Sequence, residues 1–236
     1  MAYDFKREYK DLYSPKTKPA LIEVPSMNFV AVAGRGDPNE EGGAYKQALE
    51  LLYAFSYTVK MSKMSDWQPD GYFDYVVPPL EGLWWDSATP FDGTGIQDKS
   101  NLSWISLIRQ PDFVTRNDFD HVCSLVADKK PKLASLIDEK RLHYVRFSEG
   151  SCVQIMHKGP YDNEPSTIAK LKEFVLEQEL TFDIASIDGR DPEEVIALLD
   201  CAGGVAPVRL HHEIYLGDPR RTKPENLKTV IRHPII

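Results

Sequence analysis

The sequence predicts an α+β fold. Two βαββ modules, related by a pseudo-two-fold, form an antiparallel sheet with helices on one face and a ligand cleft on the other. The first observation behind this is a repeat. "FVAVAGRGDPNEEGGAYKQALELLYAF" and "CVQIMHKGPYDNEPSTIAKLKEF" each read as an alternating strand, a glycine-containing turn and an amphipathic helix. Laying Gly36 on Gly159, an offset of 123 residues (159 less 36), places Val30 on Val153, Val32 on Ile155, Tyr45 on Ile168, Ala48 on Leu171, Leu51 on Phe174 and Leu52 on Val175 without a gap. Two amphipathic helices alike by chance would not keep the strand-to-helix spacing so well, so the register points to a duplication. The second observation is that further strand patterns follow each helix. The third is size: 236 residues with 42% hydrophobic content bury a substantial core.

Taken in order, the first module spans about 24–115. Its helix is followed by the strand candidates "YFDYVVPPLEGLWW" and "NLSWISLIRQPDFV". A connector, about 116–148, contains "FDHVCSLVADKKPKLASLIDEKRLHYVRF". It reads as helical with a break at Pro131, because proline removes an amide donor and clashes with the preceding turn. The second module, about 149–220, continues after its helix with a weak strand "FDIASIDG" and a clear one, "VRLHHEIYL". The final segment, 221–236, together with Arg220, presents a local basic face through Arg220, Arg221, Lys223, Lys228 and Arg232, which reads as solvated surface. The whole chain, 1–236, is taken as a single domain.

Composition excludes several classes of partner. A formal charge of −8 opposes long-range attraction to nucleic acid or an anionic membrane. Three separated cysteines, Cys123, Cys152 and Cys201, make neither a disulfide framework nor a zinc site. The start "MAYDFKREYKDLY" is too charged for a signal peptide and no apolar run approaches membrane-spanning length, so a cytoplasmic protein is expected. In "AGRGDPNEEGG" the third glycine of a dinucleotide loop falls on Asn39, and in "HHEIYL" the position four after His212 is Leu216 instead of a second histidine. Neither a cofactor nor a metal is expected.

Candidate site residues come from the strands. Trp84, Trp85, Trp104, Tyr161 and Tyr215 lie in or beside them, and Tyr53 and Tyr57 share a helix face at i, i+4. Taken singly, each aromatic is a core residue; together around one surface they suit a pocket. In "LHHEIYL", alternation sends Leu210, His212, Ile214 and Leu216 to one face and His211, Glu213 and Tyr215 to the other. Glu213 is then either a solvated surface group, which alternation alone favours, or a carboxylate in an aromatic cleft suited to base catalysis or cation binding.

"VVPPLEGLWW", "HKGPYDNEPSTIAKLKEFV" and "HHEIYLGDPRRTKPENLKTVIRHPI", in that order, resemble the GyrI-like small-molecule-binding family in its full-length stand-alone form, from about Val24 to the C-terminus. The resemblance implies a pseudo-symmetric pair of modules with a ligand cleft between them. Relatives of this kind include drug-sensing domains and cyclopropanoid hydrolases that open strained rings in DNA-alkylating compounds. It further implies a buried glutamate on the last strand, which maps onto Glu213, with Tyr161 as the turn tyrosine and Trp84 and Trp85 in an aromatic cage; Trp104, Tyr53, Tyr57, Tyr215 and His157 complete the expected ligand-binding set. The expected ligand is a hydrophobic aromatic small molecule, either hydrolysed with Glu213 and Tyr161 as catalytic groups or held as a cation without turnover. A transcription regulator is not expected, since about two dozen residues precede the first repeat strand. Binding to a protein such as gyrase has no distinct sequence feature behind it. The segment "IASIDGRDPEEVIALLDCAGGVAP", within 184–207, is longer than the family leads one to expect, and either lids the cleft or extends the sheet edge.

Overall fold

The computed structural model describes residues 2–86, 101–187, 189–200 and 204–236. Strands β1 (Tyr3–Asp4) and β4 (Tyr75–Val76) pair in parallel as a small separate ribbon beside the short helices α1 (Phe5–Glu8) and α2 (Lys10–Tyr13). The remaining strands form one eight-stranded antiparallel sheet: β2 (Ala20–Val24), β3 (Met27–Arg35), β5 (Leu80–Asp86), β6 (Leu102–Gln110), β7 (His143–Phe147), β8 (Gly150–Lys158), β9 (His211–Tyr215) and β10 (Lys228–Pro234). Their spatial order is β2-β8-β10-β9-β5-β6-β3-β7. The first module is β3, α3 (Ala44–Met61), β5 and β6; the second is β8, α6 (Pro165–Glu177), β9 and β10. From the centre outward each module runs in the order second strand, third strand, first strand (β5-β6-β3 and β9-β10-β8), so the two halves meet where β5 pairs with β9.

The duplication is visible in the backbone. Gly36 and Gly159 end equivalent strands at φ 105° and 129°, a region that a side chain resists, so both turns require glycine. Ala48, Leu51 and Leu52 of α3 are buried, as are Ile168, Leu171 and Val175 of α6. The helices open differently. α3 starts behind Gly43 without a side-chain cap, whereas Pro165 occupies the first turn of α6, where its missing amide costs nothing.

The edge strands are exchanged. β2 precedes the first module yet pairs with β8 of the second, and β7 precedes the second yet pairs with β3 of the first. This ties the halves together beyond the central β5–β9 seam.

The connector follows the predicted break. Helix α4 (Arg116–Lys129) begins with a capping box between Thr115 and Asp118, and α5 (Pro131–Asp138) restarts at Pro131. Its tail, however, is strand β7 and not helix, because "HYVRF" satisfies its backbone on the exposed edge of β3. Two further expectations are corrected. "FDIASIDG" contributes only an isolated bridge, Phe182 to Ile235. The last strand of the second module is instead β10, inside the segment read as a basic tail, so Glu213 lies on the penultimate strand. That basic face does not exist as a unit: Arg232 is 1% exposed and Arg220 and Arg221 pair with Asp218.

Cross-strand partners share a face, which fixes what each side of the sheet carries. One row runs Val32, Ser106, Gly82, Glu213, Ile231, Ile155 across six strands. Helix α3 packs on β3 and β6 at one end of this row and α6 on β8 at the other. The helices therefore flank Glu213 on its own face, so the candidate ligand groove is the strip between them and not a bare opposite side. The opposite face is covered. Helix α7 (Pro192–Ala197), capped by Asp191, reaches it through Glu193, which meets His143 beside Ala31. The described part of the 184–207 segment thus backs the sheet and does not lid the groove, and its residues 188 and 201–203 lie outside the described chain.

Behind Glu213, on that covered face, lies a buried charge network. His212 sits between Glu81 and Glu149, each at 3.0 Å, and Glu149 also accepts from Arg232 Nη1 at 3.1 Å. Arg232 donates further to Gln154 and to the carbonyl of Leu12, while Tyr13 OH donates to Glu81 at 3.3 Å. Burial alone would lower the His212 pKa, but the two carboxylates outweigh it and raise it to about 9. Burial would likewise raise Glu149, yet His212 and Arg232 bring it down to about 2. Among the described residues no helix is long and apolar enough to cross a membrane.

Candidate functional site

The pseudo-two-fold passes between Gly82 and Glu213. Val32 and Ile155 are equivalent by the offset of the repeat, so their partners Ser106 and Ile231 are equivalent, and so are the next partners, Gly82 and Glu213. Gly82 and Glu213 pair directly with each other. One copy carries a carboxylate beside the axis and the other carries no side chain, which leaves room for what lies above. A Cβ on Gly82 would fall 2.4 Å from Trp84 Nε1 and 3.2 Å from Tyr215 OH. Two residues on, Trp84 and Tyr215 are also equivalent and meet across the axis. Trp84 Nε1 donates to Tyr215 OH at 2.8 Å, and that hydroxyl donates to Glu213 Oε2 at 2.7 Å.

The other oxygen, Glu213 Oε1, lies 2.8 Å from His211 Nε2, and a carboxylate only accepts, so His211 carries a proton on Nε2. His211 Nδ1 is in turn 2.7 Å from His233 Nε2. Burial and the neighbouring His211 push His233 well below its ordinary pKa, which keeps it neutral. A second carboxyl, Glu164 at the start of α6, is coupled electrostatically to Glu213. Two carboxylates so close in a buried place cannot both ionise. Burial, then Glu213, drives Glu164 well above the usual carboxylate range, whereas hydrogen bonds from His211 and Tyr215 outweigh burial and hold Glu213 below it. The two carboxyls therefore titrate as a pair that shares one proton. The Glu213 side chain is 14% exposed.

Aromatic rings frame this carboxylate. Tyr45 of α3 packs on Trp84 at 5.5 Å and edge-on to Trp104 at 5.1 Å. Trp104 lies across Gly34, where a Cβ would come within 2.4 Å of the indole. From the other module, Tyr161 meets Tyr215 edge-on at 5.7 Å. Burial, then Glu213, pushes the Tyr161 phenol up to about 12, so it remains a donor at neutral pH.

Of the residues singled out in the sequence, Glu213, Tyr215, Tyr161, Trp84 and Trp104 come together. Trp85 does not: the alternation of β5 turns it to the opposite face, where it is buried in the core. His157 shares the face but serves its own turn, with Nδ1 2.8 Å from Thr167 Oγ1 and Nε2 3.1 Å from the carbonyl of Pro160. Tyr53 and Tyr57 pair with each other at 6.3 Å farther along α3, and Tyr57 is 50% exposed. Sequence reasoning missed Tyr45, Glu164 and His233 as members of the cluster. It had placed His211 on the right face without giving it a role. Burial raises the thiols of Cys123, to about 12, and of Cys152, so neither is a nucleophile at neutral pH; Cys201 lies outside the described residues.

Comparison with known proteins agrees with this architecture. The model of the GyrI-like small molecule binding domain matches residues 17–195, a span that ends before β9 and Glu213. Solved structures extend the likeness over the rest. An uncharacterized conserved protein from Listeria innocua is 42% identical with a TM-score of 0.81, and a hydrolase from the same organism is 40% identical with a TM-score of 0.79. Each alignment covers 99% of this chain and 100% of the other. No curated protein matches. With the duplicated modules and a family match over most of its length, the chain belongs to the GyrI-like small molecule binding domain family.

Proposed function

We propose that the protein is a hydrolase that opens the strained cyclopropane ring of planar, aromatic DNA-alkylating compounds, in a detoxifying role. The observation that carries this reading is the Glu213 carboxylate, hydrogen-bonded by Tyr215 and His211, coupled to Glu164 and set among aromatic rings. The rings of Trp84, Tyr45, Tyr215 and Tyr161 offer stacking and edge contacts for a flat ligand. Glu213 takes a proton from a water, whose oxygen bonds to the strained carbon as a ring carbon–carbon bond breaks. The electron pair of that bond passes into the conjugated system of the ligand, which takes the proton that Glu213 and Glu164 share. One water adds overall, and nothing is oxidised or reduced. Tyr161 and Tyr215 orient the reacting groups as protonated phenols. The description of a Listeria innocua relative as a hydrolase is in keeping with this chemistry.

The same ionised carboxylate favours a second reading, a receptor that pairs Glu213 with a cationic aromatic compound. Binding titrations separate the two. In the receptor, Glu213→Gln weakens cationic ligands and spares neutral ones; in the hydrolase, neutral cyclopropane-bearing ligands bind the variant and are no longer consumed. The two neighbouring tryptophans give an internal control. Trp84→Ala weakens aromatic ligands by about 1–3 kcal/mol, as loss of a stacking platform does. Both substitutions lower stability by about 3–5 kcal/mol, the usual cost of emptying a buried tryptophan site, because Trp84 and Trp85 are both buried, but Trp85→Ala leaves ligand affinity unchanged. Equal loss of affinity in both variants would contradict the assignment of the groove.

A further inference from the structure

We infer that the chain carries a second small-molecule site, for a ligand bearing two or more phosphate groups, independent of the groove around Glu213. An open cavity of about 780 Å³ lies between the N-terminal segment and the paired ends of β8 and β10. Six cationic side chains line it, Lys6, Arg7, Lys16, Lys18, Lys158 and Lys228, in a chain whose formal charge is −8. Its one carboxylate is already engaged: Asp4 accepts from the amide of Lys6 at 3.0 Å and pairs with Arg7 at 3.5 Å.

A second observation points to an anion. Lys158 and Lys228 are directly opposed on β8 and β10. Like charges opposed across a strand pair destabilise a sheet, and neither lysine is ion-paired with a described carboxylate. Among the described residues no carboxylate pairs with either lysine to offset that repulsion, whereas an anion between the two ammonium groups turns it into attraction. The wall that faces them is fixed, since the amide of Met156 donates to the carbonyl of Lys16 at 3.0 Å and holds the loop on β8. Ser14 and Thr17 add hydroxyl donors.

Size and charge narrow the ligand. The volume falls within the ~300–1,000 Å³ of ordinary small-molecule sites, larger than a single phosphate needs. Past Thr17, Met156 and Lys158 the groove continues into a second cavity of about 520 Å³ that contains Lys170, which suits an elongated ligand. The acidic remainder of the chain repels an extended polyanion or an anionic bilayer, so a small molecule is the occupant.

Isothermal titration and thermal melting at low salt, with tripolyphosphate and ATP as probes, test this. Both probes are expected to bind and to raise the melting temperature of the wild-type protein. The Lys158→Gln/Lys228→Gln double variant is expected to bind them about tenfold or more weakly and, without any anion, to melt above wild type because the opposed charges are gone. Absence of binding to wild type, or equal binding by the double variant, would overturn the site. Binding only to phosphatidylserine vesicles, or only to single-stranded DNA, with no response to the free phosphates, would overturn the small-molecule assignment.

Discussion

Glu213→Gln is expected to leave aromatic ligands bound and to lower turnover of a cyclopropane-bearing substrate by about 10²–10⁴-fold, the usual range for loss of a general base. The substitution keeps shape, and its carbonyl oxygen accepts from one of the two donors, Tyr215 or His211, which reach different oxygens of Glu213, so the ring framework that binds a ligand survives while the charge is lost. Glu164→Gln removes the shared proton without removing the base, and its effect is expected to show in the pH profile: the wild-type limb that reports the pair should disappear. Steady-state kinetics with a direct binding titration separate the two effects. A Glu213→Gln enzyme with unchanged turnover would return this carboxylate to a structural role.

Glu149→Gln is expected to destabilise the fold by about 3–5 kcal/mol, because removing one partner of a buried ion pair leaves uncompensated charge behind. Here two cations, His212 and Arg232, lose the carboxylate that both contact. The pH dependence of the wild-type protein follows from the same network. His212 is raised from 6.5 to about 9, so its contribution is complete below pH 6.5 and is lost as pH rises through about 9. Glu149 is lowered from 4.5 to about 2, so its contribution is complete above pH 4.5 and is lost as pH falls through about 2. Urea denaturation from pH 5 to 10 should therefore show stability falling on the alkaline side, and His212→Gln should flatten that fall. An alkaline limb unchanged in the variant would locate the titrating group elsewhere.

The repeat was legible because both of its periods, two along the strand and 3.6 around the helix, held through one constant offset. The exchange of β2 and β7 was not, since edge pairing joins residues far apart in the chain and leaves no local pattern. β10 was hidden by its charges: "KTVIRHP" alternates, but Arg232 reads as solvent-facing until the carboxylate that buries it is known. The tryptophan doublet contained its own correction. Adjacent strand residues point to opposite faces, so Trp84 and Trp85 could not both line one groove. Glu164 gave no signal, because an acidic residue at a helix start is ordinary. Only the fold, by packing α6 on β8 beside the central strands, makes it the partner of Glu213.

The central claim, that the carboxylate beside the axis adds water to a strained ring, is tested most directly in ¹⁸O-labelled water. Wild-type protein and Glu213→Gln are each incubated with a cyclopropane-bearing DNA alkylator, and the products are read by mass spectrometry. The account predicts a ring-opened product with one labelled oxygen from the wild-type protein, and intact ligand recovered from the variant. Intact ligand recovered from both, or labelled product formed equally by both, would contradict it.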